Sequence, residues 1–122
     1  MDTPLLDLGY LQEISQNDNT YMYEVITLFL DTVPKSLETL DQLIRETNDF
    51  ESIQRRAHSL KSSSNVIKVR GMFDNVARID LLARDKTGKE EMLERIANTL
   101  ANFNEALPLI KEERKKNKPS KK

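Results

Sequence analysis

Apolar residues recur at spacings of three and four over most of the chain. Ile26, Phe29, Leu30, Val33, Leu37, Leu40 and Ile44 fall on one face at the helical period and predict a long amphipathic helix. Asn17-Asp18-Asn19 stands just ahead of it, where side-chain oxygens can accept the first free backbone N–H groups. Pro34 lies inside the run; it removes one donor and clashes one turn back, so a kink or break is expected near Leu30–Val33. Asn48-Asp49 restarts the pattern, and Phe50, Ile53, Ala57, Leu60, Ser64 and Ile67 form the buried stripe of the next helix. After a bend near Lys68–Gly71, Met72, Phe73, Val76 and Ile79, with Leu82 and Ala83, make another. Lys86-Thr87-Gly88 is the clearest loop. Met92, Leu93, Ile96, Leu100, Phe103, Leu107 and Ile110 are the seam of a long final helix, whose end Pro108 is expected to kink or fray. At the start, Leu5, Leu6, Leu8, Leu11 and Ile14 have mixed spacing and suggest a short helix at about 7–15 lying over one end of the others.

No segment alternates with period two, so no strand is expected. Each apolar stripe is too narrow to be buried all round, and the stripes therefore need one another. The fold class is all-α: an antiparallel up-down four-helix bundle with a short extra N-terminal helix. The bundle is expected to occupy residues 1–111. Residues 112–122 have no apolar side chain and read as a basic, disordered tail.

Composition narrows the class of molecule. With 122 residues the chain is most simply one domain, and 38% apolar with 32% charged residues suits a surface-rich helical protein. There is no cysteine, which removes disulfides and thiolate metal sites and fits a reducing compartment, the cytoplasm. No basic region followed by an apolar run opens the chain, so no signal peptide is expected, and no run is long enough to insert in a membrane. The net charge of -1 hides an asymmetry: residues 111–122 carry seven Lys/Arg and two Glu, which leaves 12 basic and 18 acidic residues in 1–110. A body this acidic is a poor nucleic-acid groove; the tail could add salt-sensitive affinity for polyanions, but a solubilising role suits it better, and no nucleic-acid partner is expected.

The chemistry concentrates in Gln54-Arg55-Arg56-Ala57-His58-Ser59-Leu60-Lys61-Ser62-Ser63-Ser64-Asn65, which holds the only histidine. At ~100° per residue, with His58 at zero, Leu60, Ile53, Ser64, Ala57 and Ile67 fall between ~180° and ~260° and point into the bundle. Glu51, Gln54, Arg55, Lys61, Ser62 and Asn65 fall within ~60° of His58, on an exposed polar stripe. An imidazole with an ordinary pKa of ~6.5 is partly neutral at cellular pH, so one ring nitrogen has a free lone pair that can attack phosphorus. The product carries about two negative charges, which Lys61 and Arg55 can screen. Ser62 and Ser63 are small and leave room for a second protein's reacting group. A metal site is not expected, since there is no second histidine, no cysteine and no carboxylate cluster about His58. A Ser-His hydrolase is not expected either: the serines follow the histidine on one helix, with no nucleophile turn and no oxyanion loop.

Ala57-His58-Ser59-Leu60-Lys61-Ser62-Ser63-Ser64 resembles the histidine-containing phosphotransfer domain of phosphorelays, whose motif reads His-x-Leu-Lys-Gly-Ser. The resemblance extends over nearly all of 4–111, including the long helix with Phe29 and Pro34, Asp49 ahead of the histidine helix, and Ile79-Asp80 where the family usually has Leu-Glu. It implies that His58 is phosphorylated, that Lys61 supports the phosphoryl group, and that Asp80 accepts a hydrogen bond from the inner ring nitrogen and fixes the tautomer. Such domains have no kinase activity of their own and use no cofactor; they accept phosphate from an aspartate on one receiver and pass it to another. The expected partners are receiver domains of response regulators or hybrid sensor kinases, and a monomer is expected. Receiver access would be shaped by Ser62, Ser63, Gln54 and Asn65, with Met22, Tyr21 and Tyr23 as candidates for the docking face. Two positions depart from the family pattern. Ser62 stands where the motif has glycine, and Lys68 stands where a glycine usually follows ten residues after the histidine, with Gly71 as the compensating residue. These departures motivate the alternative reading, a helical docking module that binds receivers or a histidine kinase without transferring phosphate.

Overall fold

The computed structural model describes residues 3–119. In chain order it contains β1 (Leu6–Asp7), α1 (Gly9–Ser15), α2 (Asn19–Glu46), α3 (Phe50–Val66), β2 (Lys68–Val69), α4 (Met72–Arg84) and α5 (Lys89–Lys116). Helices α2 to α5 form the bundle: α2 packs on α3 and α5, and α4 packs on the same two. Short links join consecutive helices, which makes neighbours antiparallel. The seam is continuous, from Leu11 through Ile26, Leu37 and Leu40 on α2, Ile53 and Leu60 on α3, Met72 and Ile79 on α4, and Met92 and Ile96 on α5, all essentially sealed from water. Phe29 and Phe103 meet across α2 and α5 with ring centroids 6.0 Å apart.

The helix starts follow the predicted capping. Asp18 accepts from the Tyr21 backbone N–H, and Asp49 accepts from the Ser52 N–H and Ser52 Oγ. Both loops around α4 rest on glycine in the left-handed region. Gly71 has φ +75°, and its missing Cβ leaves room for the Asn102 amide, 3.3 Å from where that atom would stand. Gly88 has φ +78°, and a Cβ there would lie 2.6 Å from Leu82 Cδ2. Lys68 needs no such conformation: it is extended in β2, and its ammonium lies 5.9 Å from the centre of the Tyr10 ring. The bend that the sequence placed at Lys68–Gly71 is thus made by Gly71.

Several expectations are corrected. A strand pair exists: β1 and β2 are antiparallel, Leu6 opposite Val69 and Asp7 opposite Lys68, and Arg70 N–H extends the pairing to the Leu5 carbonyl. Two residues are too few to show a period of two. Pro34 does not break α2, which runs unbroken from Asn19 to Glu46; Phe29 and Val33 on one side and Leu37 on the other are buried and hold both halves against the core. Pro108 does not end α5, and residues 112–116, read as tail, are helical. Helix α5 continues to Lys116, Arg114, Lys115 and Lys116 sit in its last turn where cations favour the C-terminal dipole, and buried Asn117 caps it by donating Nδ2 to the Glu113 carbonyl. Residues 120–122 of the expected tail lie outside the described residues. Phe73 and Leu93, read as core, are exposed, whereas Asn75, Asp80 and Thr99 are buried polar residues that periodicity had not picked out. Among the described residues no helix is long and apolar enough to cross a membrane.

Candidate functional site

His58 projects from the middle of α3 with its side chain 62% exposed. Ala57 and Leu60, its neighbours on the inner face, are buried and fix the helix beneath it. Facing it from α4 is Asp80, whose side chain is only 1% exposed. Its position explains the burial: it lies one residue from Ile79, at the edge of α4's apolar stripe, where α4 packs on α3.

Four side chains converge on this carboxylate. Gln54 Nε2 donates to Oδ1 at 2.8 Å, Lys61 Nζ donates to Oδ2 at 3.1 Å, and His58 Nδ1 stands 3.3 Å from Oδ2. Arg84, one turn on along α4, reaches Oδ1 at 3.3 Å and Oδ2 at 3.5 Å. Burial pushes the Asp80 carboxyl up, but hydrogen bonds from Gln54, Lys61 and His58, with the Lys61 charge, outweigh it and hold the group below its ordinary value. Asp80 is therefore an anion at neutral pH and can only accept. That fixes the neutral imidazole: the proton resides on Nδ1, and the lone pair is on Nε2, the nitrogen directed away from Asp80. A nitrogen with a free lone pair thus lies on the outward side of the ring, and two cations, Lys61 and Arg84, are bound to the same carboxylate as the ring.

The helical wheel of α3 separates the remaining candidates. Relative to His58, Gln54 and Lys61 lie at about −40° and −60°, and Arg55 and Ser62 at about +60° and +40°. The negative side faces α4, so Gln54 and Lys61 join the Asp80 cluster. The positive side turns toward α2. Arg55 is accordingly engaged by Glu51 at 2.9 Å and Ser52 Oγ at 3.3 Å, and lines a groove with Thr39, Leu43, Arg56 and Ser59. It is not gathered with His58 and Asp80, and Arg84 stands in the place expected of it. Ser62 is exposed on the same side as Arg55. Ser63 is half-buried against α2, in a groove with Val25, Leu28 and Phe29. Asn65 lies farther along, in a cleft with Thr3, Asp7 and Lys68. Ser64 is buried and donates to the Lys61 carbonyl at 2.8 Å. Met22, a docking-face candidate, is core; Tyr21 is exposed and Tyr23 half-buried. Among the described residues no cluster of His, Cys, Asp or Glu could hold a metal ion.

Arg84 is the site residue that the sequence reading missed. Its signal was present in the i, i+4 spacing from Asp80 on one helix face. Gln54 had been placed on the right face but given to partner access, because its reach across to α4 is not visible from its own helix.

A model of the Hpt domain family matches residues 24–108, which spans most of α2, all of α3 and α4 and most of α5. The chain belongs to the Hpt domain family. No curated protein and no solved structure matches the chain. Hpt domains are helical bundles that act in phosphotransfer within phosphorelay signalling, as phosphocarriers rather than kinases, and they interact with receiver domains. In this Hpt domain the single histidine, the anionic carboxylate behind it and the two cations beside it all lie within the matched span.

Proposed function

We propose that this Hpt domain is a phosphocarrier that accepts a phosphoryl group on His58 Nε2 from a receiver aspartate and returns it to another receiver. The observation that carries this reading is the contact between His58 Nδ1 and buried Asp80, which leaves Nε2 as the free, outward nucleophile. In the forward step the Nε2 lone pair forms the N–P bond as the aspartyl P–O bond breaks. The bonding electrons return to the receiver's carboxylate, and the Nδ1 proton stays on the ring, held by Asp80. The phosphoimidazole that forms would be positive on the ring and is balanced by Asp80, while Lys61 and Arg84 face the phosphoryl oxygens. Reversal of the same step delivers the group onward.

The docking surface in this reading lies over the α2–α3 groove beside His58. Leu28, 63% exposed, lines its apolar end with Val25 and Val66, and Arg55 and Arg56 line its polar end. Receivers engaging as single copies with a monomeric, cytoplasmic carrier complete the proposal. Mixing the protein with a phosphorylated receiver should place an acid-labile, base-stable label on His58, lost in His58→Gln. Absence of label on wild type with several receivers, or its persistence in His58→Gln, would overturn the reading. Receiver binding without transfer, with transfer restored by Ser62→Gly, would instead make the natural protein a docking module.

A further inference from the structure

We propose that Gln54 is a positioning residue for His58: it sets the rotation of the Asp80 carboxylate and, through it, the imidazole tautomer. The proposal rests on the reading of His58 as the phosphoryl acceptor and names a device that serves it.

The two oxygens of Asp80 have different partners apart from Arg84, which reaches both. Oδ2 faces the reacting ring and Lys61, at 3.3 Å and 3.1 Å. Oδ1 is held by the Gln54 amide at 2.8 Å, the shortest bond of the cluster, with Arg84 at 3.3 Å. The terminal torsion of an aspartate is broad and the two oxygens of its anion are equivalent, so staggering alone does not fix the plane in which one of them meets Nδ1. Something must hold the other oxygen. Gln54 does so from α3 itself, one turn before His58, so the brace and the ring it serves move with the same helix.

Charge then distinguishes Gln54 from the other donors. Lys61 and Arg84 are cations, and both are partly exposed, at 29% and 56%. When a phosphoryl group with about two negative charges arrives on Nε2, it competes with Asp80 for both of them. A neutral amide feels that competition far less. Gln54 is thus the one donor besides the ring whose bond to Asp80 is not drawn off as the phosphoryl group arrives. It keeps the carboxylate turned to Nδ1 while the cations shift toward phosphate. The amide also satisfies an oxygen that is buried and would otherwise lose part of its partners in the phosphorylated state.

The experiment compares wild type with Gln54→Leu and Gln54→Ala on two readouts. The first is the ¹⁵N shift pair of the His58 ring at about pH 9, well above the ordinary histidine range. The second is the rate of labelling by phosphoramidate, a small nitrogen-linked phosphoryl donor that releases ammonia and needs no docking surface. The expected result is a neutral ring with its proton on Nδ1 in wild type, a shift toward mixed tautomers in both variants, and phosphoramidate labelling slowed by roughly five- to ten-fold, the size of one hydrogen bond's effect on a barrier. Unchanged ring shifts and an unchanged phosphoramidate rate would overturn the proposal. So would a loss confined to receiver-driven labelling, which would make Gln54 a partner contact. Failure of wild-type His58 to take label from either donor would overturn the carrier reading and with it the catalytic half of this proposal, while the ring shifts, which need no transfer, still decide the geometric half.

Discussion

Asp80 places a buried negative charge where four donors meet, and its ionisation ties the site to the stability of the fold. Its carboxyl is held below the ordinary value in the folded state, so acid must protonate it against that preference. The stabilisation is therefore complete above the ordinary carboxylate range of about 3.9 and is lost as pH falls through the lower folded value. Asp80→Asn should be less stable than wild type by about 1–3 kcal/mol at neutral pH, the range for a disrupted buried hydrogen-bonded group. The gap between their urea midpoints should close as the pH is brought below the ordinary carboxylate range, and a gap that is constant with pH would refute this account. The cations around it should rank by placement. Lys61→Ala, which removes a half-buried ammonium, should slow receiver-driven labelling about ten-fold or more, the scale of a charge-assisted hydrogen bond. Arg84 is more solvated, so Arg84→Ala should cost only about two- to five-fold. Arg55→Ala should leave transfer from phosphoramidate unchanged within about two-fold, because its guanidinium is held by Glu51 and Ser52 on the α2 side.

Among the elements, the caps and the stripes were readable from the chain because they depend on residues within one helix. Asp18 and Asp49 cap where their spacing placed them. Tests of single residues were weaker guides where neighbours decide. Pro34 and Pro108 each remove one donor, yet α2 and α5 run through them, because packing along the buried face outweighs one lost bond. Arg114, Lys115 and Lys116 read as part of a disordered tail when counted as composition; in the last turn of α5 they complement its dipole instead. The tightest local constraint is the α4–α5 turn. Gly88→Ala would force a left-handed backbone on alanine and press its Cβ against Leu82, which is buried. The expected destabilisation is about 1–3 kcal/mol by urea unfolding, with far-UV helicity otherwise retained.

The whole molecule separates its stability from its chemistry. The reacting cluster lies on the α3–α4 side, whereas the Phe29–Phe103 pair joins α2 and α5. Phe103→Ala should therefore lower stability by about 3–5 kcal/mol while leaving the phosphoramidate labelling rate of the folded protein unchanged. A rate that falls in parallel with stability would show the two sides to be coupled. The amino-acid sequence by itself determined the helices, their inward faces, the capped starts and the outward aspect of His58, since each follows from a period of 3.6 residues within one element. It also singled out Lys61 and Asp80 through the motif they belong to. What it left open was which flank of α3 meets which neighbour. A wheel places Arg55 at about +60° and Lys61 at about −60° and treats them alike, because one helix in isolation has no preferred side. Only the packing of α4 against the negative flank and α2 against the positive one draws Gln54 and Lys61 to Asp80, brings in Arg84 from another helix, and turns Arg55 away.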